Sequence, residues 1–283
     1  MRATIWGCRG SLASPGPDTV RYGGNTSCVE IRLSDDSVLV LDAGTGIRPL
    51  GAKILREGLP ARIDVLLTHL HMDHLEGLGF FGPIWEPSAE VHVWGPASPT
   101  KSLAQRIAMY LSPPLFPVHL REIPANLVFH DVPATEWHLG PATIFADLIN
   151  HPGPTVGFRI TEDDRVAAYM PDHEPALGVD DLATASPEWV SGTSVAWGAD
   201  VLFHDSQYTE DEYLSRVGWG HSTWRQAVQF ALLSKVRKYV MFHHDPTHTD
   251  DQLDEIVAMA RELWGEGGGG ELEMAREGMQ LDI

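Results

Sequence analysis

Ile63-Asp64-Val65-Leu66-Leu67-Thr68-His69-Leu70-His71-Met72-Asp73-His74 is an apolar run that ends abruptly in four potential metal ligands within six positions. Val65, Leu66 and Leu67 form a continuous apolar stretch, the pattern of a strand covered on both faces. The polar cluster begins where that strand must stop. His69 and His71 lie two residues apart, so an extended turn sends both imidazoles to one side, where they can share a cation. Asp73 and His74, adjacent in a tightening chain, are better placed to face a second cation. Three imidazoles and one carboxylate suit zinc, iron or manganese, whereas calcium prefers shells of oxygen. A lone histidine means little, but four such groups directly after a strand predict a metal site.

The 283 residues are enough for one large domain with a sizeable core, and the expectation is a single domain over 1–283. Hydrophobic content of 43% and charged content of 21% belong to a globular rather than a disordered chain. A formal charge of −19 repels polyanions over most of the surface, which argues against a protein that wraps long nucleic acid. A small anion can still be held by a dication centre. The two cysteines, Cys8 and Cys28, can build neither a disulfide framework nor a cysteine-rich zinc site, and a reduced, cytoplasmic setting fits them. No basic leader followed by an apolar stretch opens the sequence, and no apolar run approaches the roughly 20 residues that span a membrane. The sequence therefore predicts no membrane association, and it is open to a homodimer.

Outward from the opening stretch, the same pattern recurs. Thr4-Ile5-Trp6 reads as a strand followed by a glycine- and proline-rich loop from 7 to 24, long enough to suggest a pocket wall. Val29 to Leu33 and Val38 to Leu41 read as paired strands. Asp42-Ala43-Gly44-Thr45-Gly46 then opens a helix with Ile47, Leu50, Ile54 and Leu55 at helical spacing, and Asp42 is a candidate to orient a ligand histidine. Helices are expected from Glu76 to Phe81, near Leu103 to Tyr110, from Thr223 to Ser234 and from Asp251 to Trp264, the last capped by Thr249 or Asp250. Val91 to Trp94 reads as a strand, the stretch 113–133 has no firm pattern, and Met279 to Ile283 closes the chain as a short strand. His119 and His130 lack partners at ligand spacing. Four later strands end in histidine or aspartate: Thr143 to Leu148 before Asn150-His151, Arg165 to Tyr169 before Asp172-His173, Val201 to Phe203 before His204-Asp205, and Tyr239 to Phe242 before His243-His244. Strand ends are where α/β proteins assemble sites, so these ends are expected to converge on one centre.

With these residues placed, nearly the whole chain resembles the metallo-β-lactamase superfamily, whose His-x-His-x-Asp-His signature matches His69, His71, Asp73 and His74. The resemblance implies an α/β fold, the αββα sandwich of two mixed β-sheets flanked by helices. It implies that His69, His71 and His151 hold one metal while Asp73, His74 and His243 hold another, with Asp172 bridging. His244 is the rival for the last position, and His243 is preferred because it directly follows its strand. The cofactors so implied are two divalent ions, zinc first, with manganese or iron as alternatives. His71, where flavodiiron oxidoreductases of the superfamily usually carry glutamate, favours hydrolysis.

Gly220-His221-Ser222-Thr223 resembles the His-Ser-Thr loop of the tRNase Z and PhnP-like phosphodiesterases, and His204-Asp205-Ser206 resembles their His-Glu-Ala-Thr segment. Arg21 to Ser27 is similar to their Asn-Thr-Ser segment. The resemblance implies that His221 donates a proton to the leaving oxygen, that Asp205 fixes its tautomer, and that Asp73 orients or deprotonates the attacking water. His204 is read as structural, and His173 and His248 as surface histidines near the mouth. Only 21 positions separate His151 from Asp172, which leaves no room for the tRNA-binding arm of tRNase Z enzymes. PhnP-like enzymes can carry a cysteine-containing structural zinc site, which is missing here. The expected function is hydrolysis of a small, anionic phosphodiester, cyclic ones such as a cyclic nucleotide included, by a hydroxide activated between two metals. The alternatives are thioester, lactone or β-lactam hydrolysis on the same centre and, further off, tRNA 3′ processing or a non-catalytic metal sensor.

Overall fold

The computed structural model describes residues 1–179 and 181–283. Its strands are β1 (Arg2–Gly7), β2 (Cys28–Arg32), β3 (Val38–Leu41), β4 (Ile63–Leu66), β5 (Glu90–Gly95), β6 (Asn126–Asp131) and β7 (Trp137–Leu139), followed by β8 (Ala142–Leu148), β9 (Val156–Glu162), β10 (Arg165–Met170), β11 (Val201–Asp205), β12 (Lys238–Phe242), β13 (Glu271–Met274) and β14 (Gln280–Asp282). The helices are α1 (Ile47–Glu57), α2 (Leu103–Ile107), α3 (Thr193–Ala196), α4 (Glu210–Tyr213), α5 (Trp224–Leu233) and α6 (Asp250–Glu266). Two seven-stranded sheets result, in the orders β14-β1-β2-β3-β4-β5-β6 and β13-β12-β11-β10-β9-β8-β7. In the first, β14 to β3 pair antiparallel and β3 to β6 parallel; in the second, β7 to β10 pair antiparallel and β10 to β13 parallel.

Period-two alternation separates three apolar layers. Along β3, Leu39 and Leu41 face the layer between the sheets with Ile5, Ile31, Phe158, Tyr169 and Phe242, while Val38 and Val40 face outward onto α1. Along β12, Val240 and Phe242 point into the middle layer, and Tyr239 and Met241 point to the α5 and α6 side. α1 sends Ile47, Leu50 and Ile54 inward at helical spacing; α5 does so with Ala227, Val228 and Ala231, and α6 with Leu253, Ile256 and Val257. Capping boxes fix the starts of the latter two, where Thr223 and Thr249 each accept from the backbone three residues on and Gln226 and Gln252 reach back. The architecture is the αββα sandwich that the resemblance implied.

Several local expectations change. Glu76 to Phe81 contains a single 3₁₀ turn, Leu78–Phe80, instead of a helix, and Gly77 packs against the Gly44 carbonyl so closely that a Cβ would lie 2.0 Å from its oxygen. The stretch without firm pattern contains β6, an edge strand that is largely half-exposed and so shows no clean two-faced alternation. Between β9 and β10 only Asp163 and Asp164 intervene, so the chain turns directly from one strand into the next. Among the described residues no helix is long and apolar enough to cross a membrane.

Candidate metal centre

The parallel halves of both sheets aim their C-terminal strand ends at one place. β3 delivers Asp42, β4 delivers Thr68 and His69, and the turn after β4 delivers His71, Asp73 and His74; β10 delivers Asp172, β11 ends in Asp205, β12 is followed by His243, and the loop after β8 brings His151. Ser11, Asp42 and His243, three of the six non-glycine residues with positive φ among the described residues, lie here, with φ of 58, 60 and 59°. Left-handed backbone at such side chains is uncommon, and its concentration at one spot marks a place where position outweighs local comfort.

Four groups of potential ligand atoms form among the described residues; two of them include His221, one with His151 and Asp172 and one with Asp205 and His243, and the other two match the expected ligand sets. His69, His71 and His151 make the first, with His151 Nε2 3.1 Å from His71 Nδ1. Asp73, His74, Asp172 and His243 make the second, fully buried. In it His74 Nε2 lies 2.9 Å from Asp172 Oδ1, 3.2 Å from Asp73 Oδ2 and 3.3 Å from His243 Nε2. The two oxygens of Asp172 divide between the groups: Oδ1 faces His74 and His243, while Oδ2 lies 3.8 Å from His69 Nε2 and 3.7 Å from His151 Nε2. His244 turns away and donates its Nε2 proton to the Ala275 carbonyl at 2.8 Å, which leaves His243 as the residue that joins the second group.

Outer contacts set the ring nitrogens. His74 Nδ1 is 2.7 Å from Asp42 Oδ2, His243 Nδ1 is 2.9 Å from Gln207 Oε1, and His151 Nδ1 is 2.9 Å from the Gly220 carbonyl. Each of these acceptors holds a proton on Nδ1 and turns Nε2 inward. Thr68 gives its hydroxyl proton to Asp42 and so accepts from His69 Nδ1 at 3.1 Å. His69 Nε2 is consequently buried with no hydrogen-bond partner among the described residues. An unpartnered buried Nε2 among inward-turned imidazole nitrogens and two carboxylates is a donor set that fits a divalent metal. Burial pushes His69 far below the ordinary imidazole range and His151 down to about 4, holding both in the neutral, ligating form. Burial opposes the ionised form of Asp73, but His74 and His243 outweigh it and hold that carboxyl well below its usual range.

His221 sits beside both groups, its ring 5.1 Å from His151 and stacked 5.0 Å from His243. Its Nδ1 is 2.7 Å from Asp205 Oδ2, and the Asp205 carboxylate also accepts from the backbone of His173, Gln207 and Ser222. Burial presses the His221 pKa down, yet Asp205, followed by Asp172 and Asp73, lifts it above the ordinary value.

The glycine-rich loop packs against the centre. Gly10 lies flat on the His243 ring, and the Ser11 backbone N–H donates to Asp73 Oδ2 at 2.7 Å. Thr26 of the Asn-Thr-Ser segment exchanges backbone and side-chain hydrogen bonds with Thr45, bracing the Asp42 loop. Two histidines expected at the surface are buried: His173 bonds His204 at 2.8 Å and packs on Phe230, and His248 bonds Glu212 at 2.9 Å. His204 is structural, as expected, and His130 stands apart on Trp94, paired with His92 at 2.8 Å. Ser11, Thr68 and Gln207 escaped the sequence reading. Gln207 was within its reach, since it follows the end of β11 by two positions.

A family model described as the beta-lactamase superfamily domain matches residues 38–244. Among curated proteins, Ribonuclease Z of Myxococcus xanthus is 26% identical over 300 aligned positions covering 92% of each chain. Among solved structures, the metallo-beta-lactamase fold protein YhfI from Bacillus subtilis superposes with a TM-score of 0.70 at 19% identity, covering 99% of both chains. A diphosphatase from the PhnP family gives 0.67 at 18% identity, covering 100% of this chain and 97% of that one.

Proposed function

The chain belongs to the beta-lactamase superfamily, and from that membership we propose that it is a two-metal hydrolase of small phosphodiesters, cyclic nucleotides among them. His69, His71 and His151 would hold one divalent ion and Asp73, His74 and His243 the other, with Asp172 offering one oxygen to each. This nitrogen-rich set favours zinc, with manganese or iron as alternatives. When bound, the two ions supply Lewis acidity and bring the pKa of water towards neutrality. Asp73, its Oδ2 steadied by the Ser11 N–H, orients the attacking water. His221 delivers its Nε2 proton to the departing oxygen, and Asp205 keeps the other proton on Nδ1.

The observation that carries this reading is the His221–Asp205 pair, held by four donors to one buried carboxylate beside both ligand groups. An alkoxide leaving from a phosphodiester is a poor leaving group and benefits from an acid at that place. His221→Ala is expected to keep both metals while losing about 10² to 10⁴ in turnover of unactivated diesters. Unchanged turnover would remove His221 from the reaction.

The relatives named Ribonuclease Z give RNA as a second reading. Against it stand the charge of −19 and the two-residue turn between β9 and β10, which offers no protruding arm. The deciding experiment is a panel run on metal-analysed protein with bis(p-nitrophenyl) phosphate, 2′,3′- and 3′,5′-cyclic nucleotides, a structured RNA, and carboxylic ester, thioester and β-lactam substrates. The proposal expects the cyclic diesters to be opened fastest. Preference for RNA would establish the second reading, and preference for carboxylic esters would sink both.

A further inference from the structure

Glu174 lies two residues beyond Asp172 and is fully buried, yet it belongs to neither ligand group. Its carboxylate is held by neutral donors alone among the described residues. Gly218 N–H lies 3.0 and 3.1 Å from its two oxygens, Gly220 N–H donates to Oε2 at 2.9 Å, and the Tyr213 hydroxyl donates to Oε1 at 2.6 Å. A buried carboxyl group without a cationic partner is a costly way to brace a turn, so its position calls for an explanation beyond stability.

The turn it braces touches both halves of the chemistry. Gly220 gives its carbonyl to His151 Nδ1 at 2.9 Å and is followed directly by His221. Gly218 and Gly220 both have left-handed backbone, with φ of 84 and 88°, and a Cβ on Gly220 would lie 2.4 Å from His151 Nδ1. The backbone N–H of Glu174 in turn donates to the Asn150 carbonyl at 3.0 Å, tying down the other side of His151. We propose that Glu174 is a positioning residue. By fixing the Gly218–Gly220 turn, its carboxylate sets the ring of His151 and the entry to His221 together, so that metal affinity at the His69, His71 and His151 group is coupled to proton delivery.

This inference rests on the two-metal reading. It is tested on full-length, zinc-loaded protein by following zinc release to the chromogenic chelator 4-(2-pyridylazo)resorcinol. In Glu174→Gln, one zinc should leave about tenfold faster and the other at the wild-type rate. With a cyclic nucleotide, whose leaving alkoxide needs the acid, kcat should fall about tenfold while KM stays within about twofold. Tyr213→Phe removes one of the donors and should shift the same zinc in the same direction by about two- to threefold, which keeps the test open if the glutamine variant does not fold. Equal acceleration of both zinc ions would mean general loosening, and unchanged release would mean no coupling; either overturns the role of Glu174. Wild-type protein that binds fewer than two zinc ions would instead overturn the two-metal reading itself.

Discussion

Gly10 has no side chain because the His243 ring occupies that space; a Cβ there would lie 2.4 Å from Nδ1. Gly10→Ala must therefore push the ring off its Gln207 partner, and the variant is expected to lose metal from the Asp73, His74, Asp172 and His243 group while the other group keeps its ion. Metal stoichiometry after gel filtration checks this, and a stoichiometry equal to wild type would show that the ring can yield. Asp172→Ala removes the oxygen that faces each group and should deplete both ions, so retention of two per chain would contradict its bridging role. Residue by residue, the histidines and aspartates that come together were legible because they cluster just after apolar runs. His173 and His248 were misread as surface groups because their burial depends on partners distant in sequence, Phe230 and Glu212, that no local pattern announces.

Strands and helices with two distinct faces were readable, and so was the edge strand β14, expected within Met279 to Ile283, but the other three edge strands were not. β3 is recovered residue for residue, whereas β6, β7 and the four-residue β13 lie at sheet edges or beside them, where one face lacks a packed neighbour. At the level of elements, the junction of β2 with α1 makes a sharp pH prediction. Glu30, 1% exposed, takes Lys53 of α1 at 3.0 Å, Arg32 at 2.8 Å and the Trp6 indole at 3.1 Å. Burial alone would raise its pKa, but these partners, Lys53 first, outweigh burial and lower it. A carboxyl depressed in the folded state contributes stability above its unfolded pKa and loses it as the pH falls through the folded value. Glu30→Gln should therefore cost about 1 to 3 kcal/mol at pH 7, and that difference should shrink as the pH drops below about 4. Urea denaturation of metal-free wild type and variant at both pH values reads it directly, and a difference that does not change with pH would contradict the ion pair.

Across the whole molecule, charge and topology act together. A chain with a net charge of −19 keeps most of its surface hostile to anions, so on the proposed function a metal pair would be what lets the centre receive a phosphodiester. The same centre draws on both sheets. The first sheet supplies His69, His71, Asp73 and His74, the second supplies Asp172, His243 and the loop after β8, and Asp73 and His243 meet across 170 positions of chain. Neither sheet carries both groups alone, which on the proposed function would give metal uptake a place in time as well as in space. During refolding the strands of each sheet can pair before the ligands from opposite sheets meet, because such long-range closure comes at the greatest entropic cost. In stopped-flow refolding with zinc and a zinc-sensitive dye, capture of the metal is expected to lag the far-ultraviolet circular dichroism signal. Simultaneous signals would show that the sheets dock as they form, and in either case the ion records the moment at which two sheets become one enzyme.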